Sequence, residues 1–345
     1  MAFDAAAHVR GMRDSFQELK ERGKVLTSHY RIAGKILRVE WGGKPTADAC
    51  RPALAHLESA ADPHDLTVAV WDGATSGGRG PEFPLFRDSS APGEIFDHHS
   101  EDFDVAFHRG DDTALSLDRK GSEGFYWVPD AREAPYYDRA SPLKHLLQWW
   151  FIPRGSQIVH AGAVGTEKGA VLIVGKSGSG KSTTSLAALK SPLSYVGDDY
   201  CLVSFSGVPR VHSLYNSGKL CIDNLHRFPD LEPLVSNRHE LPEEKAMFFL
   251  YPSFKEKLVE SLPLMAVLIP RITGRAGTSL NRTSGLEALK ALAPSTLLQL
   301  PGAGERGLKA LGELIRKVPV YRLNLGNELD EVTEVLREWI DRGNA

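Results

Sequence analysis

"HAGAVGTEKGAVLIVGKSGSGKSTTSLAALKSPLSYVGDDY", residues His160 to Tyr200, decides how this chain is read. Inside it, Gly175 to Ser182 ("GKSGSGKS") meets every fixed position of GxxxxGK[ST]. The flanks suit the motif: an apolar strand over Ala170–Val174 precedes it, and a helical run over Lys181–Lys190 follows, stopped by Pro192. Gly175, Gly178 and Gly180 allow a turn whose backbone N–H groups converge, with Lys176, Ser177 and Ser179 between them, and such a turn cradles a polyphosphate. Lys181 is placed to reach the β- and γ-phosphates, Ser182 to offer its hydroxyl to Mg2+, and Thr183 to complete the rim. ATP and Mg2+ are therefore the expected ligands.

A phosphate loop does not say where the phosphate goes. Transporter ATPases add an LSGGQ-like signature and an apolar strand ending in Asp-Glu, and small GTPases add NKxD; none of these follows Ser182. What does follow is Asp198-Asp199, at the end of the strand "LSYVGDD". Neighbours on a strand point to opposite faces, so two tandem carboxylates serve two roles only where the strand ends or twists. One could take the proton of an attacking hydroxyl while the other faces Mg2+. By itself Asp-Asp is an ordinary turn dipeptide. His160 lies fifteen residues before Gly175; beside the loop strand its imidazole would reach an aspartate, although a lone histidine among apolar residues is more often core.

Taken together, His160, Gly175–Ser182 and Gly197–Asp199 resemble the core of the bacterial HPr kinase/phosphorylase family. The resemblance covers His160 to Val203. It implies an α/β P-loop kinase domain of the HPr kinase/phosphoenolpyruvate carboxykinase-like type. It also implies Asp198 as base toward a serine hydroxyl, His160 beside that base, and Ser182 with Asp199 at the metal. Two family features are missing. An EIRG-type motif is replaced by "HSLYNSGKLCID", and the basic loop tied to phosphorylase activity is not recognisable. HPr itself is therefore an unexpected acceptor, and the body from Ser141 onward looks more like the HPr-kinase-related proteins of uncertain substrate.

The rest of the chain is read around this core. With 345 residues, 42% of them hydrophobic and 25% charged, it is long enough for two domains. A smaller N-terminal mixed domain, rich in antiparallel strands and a candidate for acceptor recognition, is expected over residues 1–140. The P-loop kinase domain is expected over 141–345, opened by a helix in "SPLKHLLQWWF" with Ser141 as its cap. The stretch "GATSGGRGPEFPLFRDSSAPGE" reads as a long loop, and "DHHSEDFD", Asp97 to Asp104, as a polar loop without metal-ligand spacing. Trp149 and Trp150 read as packing between domains. Cys201 and Cys221 read as structural, and the odd cysteine count without CxxC suggests neither disulfides nor zinc.

A formal charge of -3 gives no overall pull toward nucleic acid or membrane. The start of the chain lacks the apolar core of a signal peptide, so the cytoplasm is the expected compartment. Phosphoryl transfer calls for a second cation besides Lys181; Arg271 and Lys245 are the candidates carried forward, with Lys219 and Arg275 behind them. The expected partner is a hydroxyl acceptor, a peptide or protein serine first and a small hydroxylated metabolite second, with further copies of the chain possible. A nucleotide-binding sensor that transfers no phosphate is the reading from another class.

Overall fold

The structure is a computed structural model that describes residues 3–23, 25–60, 63–82, 95–108, 112–300 and 304–343. The chain divides into two compact units, Met1–Pro52 with Leu57–Trp150, and Ala53–His56 with Phe151–Ala345. Among the described residues no helix is long and apolar enough to cross a membrane.

In the first unit α1 (Ala5–Glu21) is started by Asp4, whose carboxylate accepts the Ala7 N–H at 2.9 Å. Its apolar residues Val9, Met12, Phe16 and Leu19 recur at helical spacing and form one buried stripe. They pack on Trp71, Val105, Phe107, Ala114 and Phe125 of a sheet. That sheet contains β1 (Leu26–Ile32), β2 (Lys35–Trp41), β3 (Leu66–Asp72), β4 (Ile95–His99), β5 (Phe103–His108), β6 (Thr113–Asp118) and β7 (Glu123–Val128), in the order β1-β2-β3-β7-β6-β5-β4. Ala33 and Gly34, at φ +50° and +76°, turn β1 into β2, the two-residue hairpin geometry that matches strand twist. The expected antiparallel sheet is mixed, because β3 runs parallel to both β2 and β7. The crossover from β2 to β3 contains α2 (Lys44–Leu54).

Two further expectations are corrected here, and a third falls mostly outside the described residues. "DHHSEDFD" is a hairpin, not a loop: Asp97–His99 belong to β4, Phe103 and Asp104 to β5, and His99 Nδ1 meets Asp104 Oδ1 at 2.8 Å. Of the expected long loop, residues 83–94 lie outside the described residues; the Arg79 carbonyl accepts the Ser15 hydroxyl at 2.6 Å. Ser141 does not cap a helix start. Its hydroxyl bonds the Tyr137 carbonyl at 2.8 Å behind α3 (Tyr136–Ala140), and α4 (Lys144–Phe151) begins only after Leu143, at φ +62°. The division between units falls at Trp150/Phe151, so nearly all of α4, including the buried Trp149 and Trp150, goes with the first unit.

The second unit is built on a nine-stranded mixed sheet. Its early elements are β8 (Ser156–Val159), β9 (Ala161–Thr166), β10 (Gly169–Val174), α5 (Lys181–Ala187), β11 (Ser194–Gly197), β12 (Cys201–Ser204) and β13 (Arg210–His212). A separate ladder joins β14 (Ser217–Leu220) to β15 (Ala246–Phe249). The long β16 (Ser261–Ile272), β17 (Ser279–Arg282), α6 (Gly285–Gln299), α7 (Gly304–Lys317), β18 (Val320–Leu325) and α8 (Leu329–Asp341) complete it. The main path is β11-β9-β10-β16-β13-β12-β8, with β18 beside β16 and β17 beside β18. In β10, Ala170, Leu172 and Val174 join the cluster that includes Ala288 and Leu292 of α6 and Leu311 and Leu314 of α7. Val171 and Ile173 face the opposite cluster, with Val332, Leu336 and Ile340 of α8. Burial on both faces is why "AVLIV" reads as one continuous apolar run.

"GSQIVHAGAV" is two strands and not one. β8 pairs with β12, whereas β9 pairs with β10 and β11. His160 is the residue at the break.

Candidate functional site

β10 delivers the chain to Gly175, and α5 begins at Lys181. Between them Gly178 and Gly180 have φ +77° and +102°, a region that L side chains rarely adopt. At Gly180 a Cβ would also come within 2.6 Å of Leu325 Cδ1, so the loop passes close under β18. Lys181 folds back across the loop and donates to the carbonyls of Gly175 at 2.7 Å and Lys176 at 3.2 Å. Burial lowers its ammonium pKa; Asp198 and Asp199 pull it back up, and Lys245 opposes them. Buried Ser179 Oγ has no hydrogen-bond partner among the described residues.

β11 ends at Gly197, and Asp199 sits at φ +68°. That left-handed residue is the twist that sends two adjacent carboxylates to different partners. Asp198 is 1% exposed. Its carboxylate faces the Ser182 hydroxyl and lies 3.5 Å from the Lys219 backbone nitrogen, while Oδ1 is buried without a hydrogen-bond partner among the described residues. Burial, then the neighbouring Asp199 charge, raise its pKa. Asp199 Oδ1 meets His160 Nε2 at 2.8 Å, and Oδ2 meets Lys219 Nζ at 2.5 Å. Burial pushes the Asp199 pKa up, but Lys219 and then His160 outweigh it and hold the carboxyl well below the usual range.

His160 is fixed from three sides. Its backbone N–H donates to Thr296 Oγ1 at 3.1 Å, its Nε2 engages Asp199, and its ring lies 5.3 Å from that of Tyr200. The Tyr200 hydroxyl in turn donates to Gln299 Oε1 at 2.8 Å. Lys219 is fixed by close packing of its own strand. A Cβ on the preceding Gly218 would lie 2.6 Å from Phe248 Cε2 and 2.9 Å from Leu186 Cδ2, so only glycine lets β14 come this near to α5.

His160, Lys181, Ser182, Asp199 and Lys219 line one cavity of about 460 Å³. Of the residues singled out in the sequence, Ser177, Gly178, Gly180, Lys181, Ser182, Thr183, His160, Asp199 and Lys245 all face it. Gly175, Lys176 and Ser179 belong to the loop without lining the cavity, and Asp198 lies behind Ser182. Arg271 is exposed and does not line it; the next residue, Ile272, does. The structure also shows which carboxylate meets which neighbour. His160 pairs with Asp199 and not with Asp198, and the carboxylate at Ser182 is Asp198 and not Asp199. Cys221 is exposed and lines the cavity, unlike buried Cys201.

The sequence reading missed Arg227, Asn327 and the apolar wall of Leu325, Leu329 and Val332. Arg227 donates to the Asn327 carbonyl at 2.7 Å across 100 residues, a juxtaposition that no local pattern announces.

Among the described residues no group of three or more His, Cys, Asp or Glu side chains could hold a metal by itself. Mg2+ asks for less, since it takes one or two carboxylates plus water and substrate phosphate oxygens. The Ser182 hydroxyl and Asp198, with its unpartnered Oδ1, supply hard oxygen donors of that kind. Asp199 fits less well, because both of its oxygens already face cations.

No family model and no curated protein matches this chain. A comparison of folds finds the Hpr(Ser) kinase/phosphatase from Coxiella burnetii, at 12% identity and a TM-score of 0.32, over 55% of this chain and 99% of that one. At that level of likeness the chemistry of this chain has to come from its own residues.

Proposed function

We propose that this chain is an ATP-dependent phosphotransferase that moves the γ-phosphate onto a hydroxyl, with a serine of a peptide or protein as the first candidate acceptor. The observation that carries this reading is the shared cavity: a GxxxxGK[ST] lysine and a cavity-facing His160–Asp199 pair line the same space. A protein that only bound nucleotide would have no need of the second feature.

In this reading the loop N–H groups and Lys181 hold the triphosphate, and Lys181 exchanges its carbonyl partners for phosphate oxygens. Mg2+, held by Ser182 and Asp198 together with those oxygens, would neutralise charge at the phosphates. Asp199 takes the proton of the acceptor hydroxyl as the phosphoryl group leaves ADP, and His160 orients the Asp199 carboxylate. Asp198 is the stronger base by its environment, yet it sits behind Ser182 on the metal side, whereas Asp199 faces the open cavity that an acceptor hydroxyl would enter, and reach decides before pKa. The roles implied by the family resemblance are thus exchanged between the two aspartates. Lys181 and Lys245 balance the charge that spreads over the transferring group.

The test is transfer from ATP radiolabelled on its γ-phosphate, in Mg2+, to separate protein and small-molecule extracts. A labelled polypeptide that disappears with Asp199→Asn supports the reading, and a labelled small molecule moves the acceptor to a metabolite. Tight nucleotide binding with no labelled acceptor would leave a nucleotide sensor as the better account.

A further inference from the structure

Lys219 has no counterpart in the phosphate-loop motif, yet it is the residue that touches both aspartates. Its backbone N–H approaches Asp198 and its ammonium pairs with Asp199. Its side chain is 12% exposed and lines the same cavity as Lys181 and Lys245. Asp199 carries one negative charge but meets two groups able to bear positive charge, His160 and Lys219. Lys181 shows the same arrangement in miniature, its ammonium resting on backbone carbonyls of the loop it serves. Both lysines therefore occupy oxygen partners inside a phosphate-sized cavity, and both face stronger ones once a polyphosphate enters, since phosphate carries more charge than a carbonyl or a single carboxylate.

We propose that Lys219 is the residue that recognises the terminal phosphate: it holds Asp199 in the empty site and turns to the γ-phosphate of a bound nucleoside triphosphate. This rests on the phosphotransferase reading above. The exchange leaves Asp199 with His160 as its partner. A diphosphate carries no γ-phosphate for Lys219 to meet. Lys219 is thus a positioning residue whose partner changes with the occupant of the loop.

The test compares affinities for ADP and for a non-hydrolysable imido analogue of ATP, both with Mg2+, by titration calorimetry. Lys219→Gln is the main variant, because its amide still hydrogen-bonds Asp199 while the charge is lost. Lys219→Arg, which keeps the charge, is the second. Wild type should prefer the triphosphate; Lys219→Gln should lose about tenfold of that preference, about 1.4 kcal/mol, with ADP affinity unchanged, and Lys219→Arg should retain most of it. Equal weakening of both nucleotides, or no change in the preference, would overturn the role of Lys219 while leaving nucleotide binding intact. Failure of wild type to bind either nucleotide would overturn the phosphotransferase reading and this inference together.

Discussion

His160 Nε2 and Asp199 Oδ1 lie 2.8 Å apart across 39 residues of chain, at the break between β8 and β9 on one side and just past the end of β11 on the other. Both residues sit where regular pairing stops, and β9 lies directly beside β11. Because Asp199 is left-handed, its carboxylate turns to the histidine while that of Asp198 turns to Ser182.

The two aspartates should separate in kinetics. Asp199→Asn should lower phosphate transfer by about a hundredfold or more, the range of a lost general base, with nucleotide affinity kept. Asp198→Asn should instead raise the Mg2+ concentration needed for half-maximal nucleotide binding. Mg2+ titrations of both variants check this, and an Asp199→Asn protein with full turnover would remove the base assignment.

Lys181→Met should leave the empty protein at least as stable as wild type, because a buried ammonium is replaced by an apolar chain of similar length. It should also abolish stabilisation by nucleotide. At ligand about a hundredfold above Kd that stabilisation is about 2.7 kcal/mol in wild type. Thermal melts with and without MgATP read both effects.

Cys221 is the exposed cysteine, whereas Cys50 and Cys201 are buried. A maleimide should therefore label the folded protein once, and Cys221→Ser should not label. Since Cys221 lines the cavity, MgATP at about ten times its Kd should slow labelling about tenfold, in proportion to the unoccupied fraction.

The first unit carries its own pH response. Burial lowers the His99 pKa, but Asp104 and then Asp97 more than reverse this, and the folded value lies above the ordinary one. The folded state then binds the proton more tightly than the unfolded chain. The stabilisation is complete below about pH 6.5 and is lost as pH rises through the folded value. Arg119 also pairs with Asp104. His99→Gln should cost about 1 kcal/mol at mildly acidic pH, and the difference from wild type should close on the alkaline side. Denaturant melts across pH measure it.

Gly218→Ala places a methyl group against Phe248 and Leu186, both 0% exposed. Overpacking of this kind costs about 1–3 kcal/mol. It should also weaken the preference for triphosphate, because β14 carries Lys219. A variant with unchanged stability would mean that β14 has room to move.

The sequence by itself determined the local pieces. GxxxxGK[ST] after "AVLIV" and before a helical run locates the loop, because glycines at those spacings and a strand buried on both faces leave direct marks in residue order. The closing helix α8 carries Val332, Leu336 and Ile340 at helical spacing, and Ser284 marks the start of α6 by accepting the Glu287 N–H. The assignment of partners was not legible. "VHAG" does not reveal that β8 and β9 pair with different strands, and "GDD" does not reveal that its last residue is left-handed. Those two facts decide which aspartate meets His160. Lys219 and Arg227 reach the cavity from short elements with no period to read, held there by contacts with residues far along the chain. Motifs record what the backbone does next to itself; only the tertiary structure decides which charge finds which, because that depends on distances set by packing.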